Sequence, residues 1–181
     1  MPLPTPTVEL VIAAGEKFDR ENALSECALA QLLQEFPHNI EISHVLLKVV
    51  VLNRLYNTQI YAVETVARHI AGLPIDPLLK AGSPEAFDLI AKVRIGDRPF
   101  NFFSFASKYC SWHNPTSYAI YDQRADDCLW AYKKQDRFTN FKRKDLDSYE
   151  KFLAVVTAFR DFYGLKLAHL QAVGQIPLAS G

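Results

Sequence analysis

The stretch SKYCSWHNPTSYAIYDQRADDCLW, residues 107–130, decides how the middle of this chain is organised. A helical pattern runs up to His113, and Pro115 then forces Asn114 out of the helical region of backbone space. The following run TSYAIY is too short to find a sheet partner and is typical of an extended connector. Asp122 comes next, at the position where a carboxylate can accept hydrogen bonds from the first-turn amides of a new helix. The stretch therefore predicts helix, connector and helix, with an aspartate held at the start of a rigid element.

Helical periodicity continues on both sides of this stretch. A Pro-rich lead precedes helical patterns that stop at Pro37, and two more helices are predicted over residues 41–56 and 62–73. Ser83 followed by Pro84 predicts the start of another helix, because serine caps and proline fits the first helical position.

That helix is expected to run to about Arg94 and to end before Gly96, with the next one spanning Phe100–His113 and a last long one covering 147–164. Since no alternating pattern of useful length is found, the predicted fold class is all-α, a compact helical bundle in two small lobes. We expect a single helical domain over residues 1–181, with possible lobes at 1–40 plus 131–181 and at 41–130.

Composition limits the functional classes. Lys plus Arg and Asp plus Glu both total 20, so no global field attracts nucleic acid or membrane, and any basic surface must be local. The cysteines Cys27, Cys110 and Cys128 have neither zinc nor iron–sulfur spacing, so we expect reduced thiols, no metal and no cofactor. The start lacks the basic region followed by an apolar one that a signal peptide carries, so no signal peptide is expected, and the longest apolar run is too short to span a bilayer. A cytoplasmic protein with no membrane partner is expected.

The order helix, connector, then AIYD opening a new helix resembles the active-site segment of the helix-hairpin-helix DNA glycosylases, and the 8-oxoguanine DNA glycosylase fold in particular. The earlier segment HVLLKVVVLNRLYNTQIYAVETVARHI resembles the first core helix pair of that superfamily. The resemblance covers residues 42–130. It implies that Asp122 matches the family's aspartate, which stabilises the oxocarbenium-like sugar as the damaged base leaves, and it implies DNA as the partner.

The hairpin departs from the family's pattern. The segment GDRPFNFFSFASK carries Gly96 alone, with Pro99 where further glycine is expected. The family's usual spacing, counted back from Asp122, reaches Ser104 instead of a lysine. Lys108 lies one turn further on, on nearly the same helix face. Either the connector is shortened and Lys108 is the nucleophile, or the lysine is absent and any chemistry is monofunctional, or the fold is kept and the chemistry lost.

Excision of a base also needs a slot that receives the base once it has left the stack. Aromatic faces stack on bases, so the predicted pocket combines aromatic side chains with two polar residues of the same region. Its members are Phe105, Tyr109, Trp112, His113, Tyr118 and Ser104. Core packing is the competing interpretation for each aromatic, and a solubilising surface role is the competing interpretation for Lys108.

One local run is strongly basic. The segment YKKQDRFTNFKRKD, residues 132–145, interleaves cations with aromatics, a pattern that suits a surface following a nucleic-acid backbone. The predicted backbone contacts are Lys133, Lys134, Arg137, Lys142, Arg143 and Lys144. A solvated loop between helices is the competing interpretation. The leading functional hypothesis is DNA base recognition or excision, and the alternative is a catalytically inactive helical module that binds DNA or a protein partner.

Overall fold

The computed structural model describes residues 2–165. Within that range the chain is mostly helical, which confirms the all-α expectation in its coarse form. The elements, in chain order, are α1 (Val8–Glu35), α2 (Ile42–Tyr56), α3 (Val63–Ala71), α4 (Ile75–Ala81), α5 (Pro84–Ala91), β1 (Lys92–Ile95), β2 (Arg98–Asn101), α6 (Phe103–His113), α7 (Gln123–Asp136), a 3-10 helix (Arg143–Asp147) and α8 (Tyr149–Phe162). Among the described residues, no helix combines the length and the apolar character that crossing a bilayer requires.

A short antiparallel hairpin replaces predicted helix between α5 and α6. Strand β1 pairs with β2 so that Lys92 faces Asn101 and Ile95 faces Arg98, and Gly96 takes a left-handed conformation in the turn (φ 59°). The expectation of helix up to Arg94, and of a helix that begins at Phe100, was therefore wrong. Each strand has only four residues, and buried and exposed residues hardly alternate along them. The alternation of apolar and polar residues is therefore too short to predict a strand from the sequence.

Contacts divide the chain into two units, of which one comprises residues 29–122. Its core is built from the apolar stripes of α2, α3, α5 and α6, with Val49, Ile70, Phe87 and Phe105 at most 1% exposed. The predicted start of α5 is confirmed, because Ser83 Oγ accepts a hydrogen bond from Glu85 N at 3.3 Å and Pro84 opens the helix.

The other unit comprises residues up to 28 and from 123 onward. Its core is rich in aromatic side chains, including Tyr132, Phe138 and Phe152. The Tyr132 hydroxyl donates to the carbonyl oxygen of Pro4 at 2.7 Å, which ties the N-terminal segment to α7. The part of α1 that belongs to this unit, residues 8–28, contains no fully buried residue.

Candidate functional site

Lys108 is a buried lysine in the middle of α6. The residue is 3% exposed, although lysine is among the side chains least often buried. Its Nζ donates to Ser104 Oγ at 2.8 Å, to the carbonyl oxygen of Tyr121 at 2.8 Å and, more weakly, to the carbonyl oxygen of Ser104 at 3.3 Å. The ammonium group therefore links α6 to the last residues of the connector that leads to α7.

Asp122 acts on Lys108 electrostatically. Burial lowers the pKa of Lys108 below its ordinary value, and the negative charge of Asp122 partly opposes that shift. Asp122 is half-buried and directly precedes the first residue of α7, Gln123, as the sequence predicts. The two residues predicted to be catalytic therefore lie close enough to interact electrostatically.

An aromatic ring, that of Tyr56, lies close to this lysine. Lys108 Nζ lies 5.6 Å from the centroid of the Tyr56 ring, within cation–π range. The Tyr56 hydroxyl in turn accepts a 2.8 Å hydrogen bond from Trp112 Nε1, and Trp112 is half-buried. Tyr56, at the end of α2, was not among the predicted site residues, because its approach depends on the packing of two helices.

Ser107 fastens the connector to α6. Its hydroxyl accepts a 2.9 Å hydrogen bond from Tyr121 N and lies within donating distance of two carbonyl oxygens, that of Ser104 (2.8 Å) and that of Tyr121 (3.2 Å). The residue is completely buried. The backbone of Tyr121 is therefore held at both its amide and its carbonyl, immediately before Asp122, and Ser107 is a second site residue that sequence reasoning missed.

Three aromatics of the predicted base slot belong to the core instead. Phe105 and Tyr109 are fully buried and Tyr118 is 2% exposed. The Tyr118 hydroxyl lies 2.8 Å from the carbonyl oxygen of Ser83 and 3.2 Å from that of Leu78, and the Tyr109 hydroxyl donates to the Asn39 side chain. These polar ends are satisfied within residues 29–122, so the three residues are packing groups that no base can contact in this conformation.

His113 also lies away from Lys108. Its ring packs against Tyr109, with centroids 5.0 Å apart, and borders a separate cavity. Burial lowers its pKa to about 3, so the imidazole is neutral at physiological pH. Its Nε2 atom is buried and has no hydrogen-bond partner among the described residues. Of the predicted pocket, Ser104 contacts Lys108 directly, and Trp112 is connected to it through the Tyr56 hydroxyl and ring.

The basic run of α7 and the following segment separates into two groups. Lys133 lies over the rings of Trp130 and Phe141, at 4.7 and 5.4 Å, and Lys133, Lys134 and Arg137 line a cavity of about 430 Å³. Lys142 and Lys144 are exposed, whereas Arg143 is engaged by carboxylates: its Nε lies 2.7 Å from Asp126 Oδ1, and it also pairs with Asp127. The charge of Arg143 is therefore largely neutralised within the protein.

No group of three or more histidine, cysteine or acidic side chains in the described range is arranged to hold a metal ion. The site around Lys108 consists of an amine, a carboxylate, two serine hydroxyls and the ring of Tyr56.

Comparison with known proteins identifies the family. Residues 9–117 match the model of the HI_0787 N-terminal domain, which is more than half of the chain. The chain belongs to this family. A protein of Haemophilus influenzae (strain ATCC 51907 / DSM 11121 / KW20 / Rd), described as uncharacterized, is 42% identical over 122 residues, which cover 67% of this chain and 61% of the relative.

The chain thus spans about three fifths of the length of this curated relative. No solved structure was found to match it. The HI_0787 N-terminal domain match includes Ser104, Ser107 and Lys108 and ends before Tyr121 and Asp122.

Proposed function

We propose that the protein recognises and excises a base from DNA, with Lys108 as the nucleophile and Asp122 as the group that stabilises positive charge on the sugar. The single observation that carries the proposal is a buried lysine whose pKa is lowered by burial and whose charge interacts with that aspartate. Perturbed pKa values from desolvation together with a specific charged partner are typical of functional sites.

The chemistry suits an amine in this state. In the reactive form the Lys108 amine is neutral and attacks C1′ of the deoxyribose, the bond between C1′ and the base breaks, and the base departs with the bonding electrons and takes up a proton. Negative charge on Asp122 stabilises the positive charge that develops on the sugar in this step. The bound sugar then opens to a protonated imine, and water hydrolyses the imine to restore the lysine and release an abasic sugar.

Burial favours the neutral amine, because desolvation disfavours the ammonium form. The surrounding oxygens of Ser104 and Tyr121 hold Nζ in a fixed direction, and a neutral amine can keep hydrogen bonds to two of them while its lone pair is free for attack. Positioning of this kind reduces the entropy lost on reaching the transition state.

The basic residues support DNA as the partner. Lys133, Lys134 and Arg137 border one cavity whose lining, as given by the described residues, contains no carboxylate, and Lys142 and Lys144 are exposed nearby in sequence. The three cations of this cavity have no acid among the described residues of its lining, an arrangement that suits contacts with phosphate groups. Arg143 is left out of this set because it pairs with Asp126 and Asp127.

A catalytically inactive module that binds DNA or a protein is the second candidate. It is favoured by the low exposure of Lys108 and by the hydrogen bonds of its ammonium group to oxygens of Ser104 and Tyr121, an arrangement that would equally suit a purely structural lysine. In that case Lys108 would fasten the connector to α6 and do no chemistry.

Base release from a panel of oligonucleotides with damaged or modified bases distinguishes the two. We expect the wild-type protein to release at least one base, and Asp122→Asn to slow release by about two or more orders of magnitude while binding is retained. Asparagine caps a helix nearly as well as aspartate, so this change removes charge with little loss of stability. Binding without release of any base would contradict the enzymatic proposal and support the second candidate.

A further inference from the structure

A second cluster of polar side chains lies in the unit formed by residues 29–122, apart from the residues around Lys108. Lys48 is completely buried, and its Nζ donates to the carbonyl oxygen of His38 at 2.9 Å and to Asn39 Oδ1 at 2.8 Å. Asn39 also binds Asp76. Its Nδ2 and its backbone N donate to the two carboxylate oxygens of Asp76 at 2.6 and 3.1 Å, respectively. A buried cation thus holds a carboxylate in a fixed orientation through an asparagine.

The carboxylate that this network holds borders a cavity of about 590 Å³, within the size range of small-molecule sites. Pro37, Pro77 and Leu79 supply an apolar part of its lining, while Asp76, Lys80, His38 and His113 supply polar groups. His38 Nδ1 lies 3.5 Å from Asp76 Oδ2, at the mouth of the same carboxylate network. Asn114 also lines the cavity and is itself fixed, since its Nδ2 lies 3.1 Å from the carbonyl oxygen of Leu79. Rigid polar groups around an apolar surface are the usual construction of a binding site.

Two features of the lining indicate that a ligand completes it. The buried Nε2 of His113 has no partner among the described residues, and a neutral imidazole nitrogen can donate or accept a hydrogen bond. Lys80, one turn after Asp76 on α4, is exposed and forms no ion pair within the described part of the chain. The polar capacity of this lining is therefore larger than the protein itself uses.

The charges restrict what the ligand can be. An anion alone would face the carboxylate of Asp76, and a cation alone would face Lys80 with Lys48 behind it. Side chains four residues apart on a helix are neighbours, so Asp76 and Lys80 present opposite charges a short distance apart. We propose that this cavity binds a small zwitterion of the α-amino-acid type, with its ammonium group at Asp76, its carboxylate at Lys80 and its side chain against the apolar lining.

Titration calorimetry and ligand-detected NMR with the standard L-amino acids, without DNA, test this proposal. We expect at least one amino acid to bind with a dissociation constant of about 1 mM or lower. Its methyl ester, which lacks the carboxylate, and its N-acetyl derivative, which lacks the ammonium group, should both bind at least about tenfold more weakly.

Variants place the binding in the cavity. Lys80→Gln changes an exposed side chain, so folding should be preserved, and affinity should fall at least about tenfold. Lys17→Gln, at an exposed lysine outside residues 29–122, is the matched control and should leave affinity unchanged. His113→Phe fills the position of the unpartnered nitrogen and should also weaken binding. Failure of every amino acid to bind, tighter binding of inorganic phosphate, or binding that Lys80→Gln leaves intact would overturn the proposal.

Discussion

Lys108 Nζ donates a 2.8 Å hydrogen bond to the carbonyl oxygen of Tyr121, the residue immediately before Asp122. A lysine on one helix is thereby connected to the chain segment that carries the aspartate at the start of the next. Any displacement of the connector changes the separation of the amine from the carboxylate. Ser104 and Ser107 help to fix this separation, because Ser104 binds the amine and Ser107 binds the backbone of Tyr121.

Ser107→Ala should destabilise the protein and loosen the connector. Removing the hydroxyl deletes the part-buried hydrogen bond that it accepts from the Tyr121 amide, which is expected to cost about 1–3 kcal/mol of unfolding free energy. Urea denaturation of the purified variant measures this cost. Ser111→Ala, one turn further along α6 at a half-buried position, is the matched control and should change stability by less than about 0.5 kcal/mol. Equal losses in the two variants would contradict the assigned role of Ser107.

Neutralising the basic cavity, which is the one lined by Lys133, Lys134 and Arg137, should change the salt dependence of DNA binding. With Lys134→Gln and Arg137→Gln combined, the slope of log affinity against log salt should become shallower by about two, since two phosphate contacts are lost. The double variant Lys17→Gln with Arg20→Gln removes the same charge from α1 and controls for net charge. Equal slopes in both double variants would remove the basic cavity from the DNA interface.

Acid should destabilise the protein through His113. Its pKa is about 3 in the folded protein and near 6.5 in an unfolded chain, so the unfolded state binds more protons between these values. The free energy of unfolding should therefore fall as pH decreases from about 6.5 towards 3, with a contribution of up to about 1.4 kcal/mol per pH unit. Denaturation series across this range for the wild type and for His113→Phe isolate the contribution by difference. An identical pH dependence in both proteins would show that His113 protonates as easily in the folded state.

The features predicted correctly from sequence were those with local causes. Pro115 ends the helix pattern at Asn114 and Ser83 caps α5, because a proline ring and a capping hydroxyl act on their immediate neighbours. The position of Asp122 directly before α7 follows from the same kind of signal.

The features that were missed depend on tertiary packing. Ser107 and Tyr56 reach Lys108 or its connector only when the connector and α2 fold onto α6. Likewise, Arg143 pairs with Asp126 and Asp127, which lie 17 and 16 residues before it in the chain. Nothing in its immediate sequence distinguishes it from the other cations of the basic run. Phe105 and Tyr109 were expected to line a base slot, but both are buried in the core. Aromatic residues occur in cores as well as in pockets, so their presence in the sequence does not distinguish the two.

Covalent trapping tests the central claim most directly. Borohydride reduces an imine to a stable amine, so a lysine nucleophile leaves a protein–DNA adduct that migrates as a single larger species on a denaturing gel. With a DNA substrate that contains the base that the wild type removes, the wild type should form this adduct, and Asp122→Asn should form it much more slowly. Lys108→Gln should form none while it keeps a cooperative melting transition, and Lys17→Ala, at an exposed lysine of α1, should trap as the wild type does. An adduct that persists in Lys108→Gln, or base release by wild type without any adduct, would contradict the assignment of Lys108 as the nucleophile.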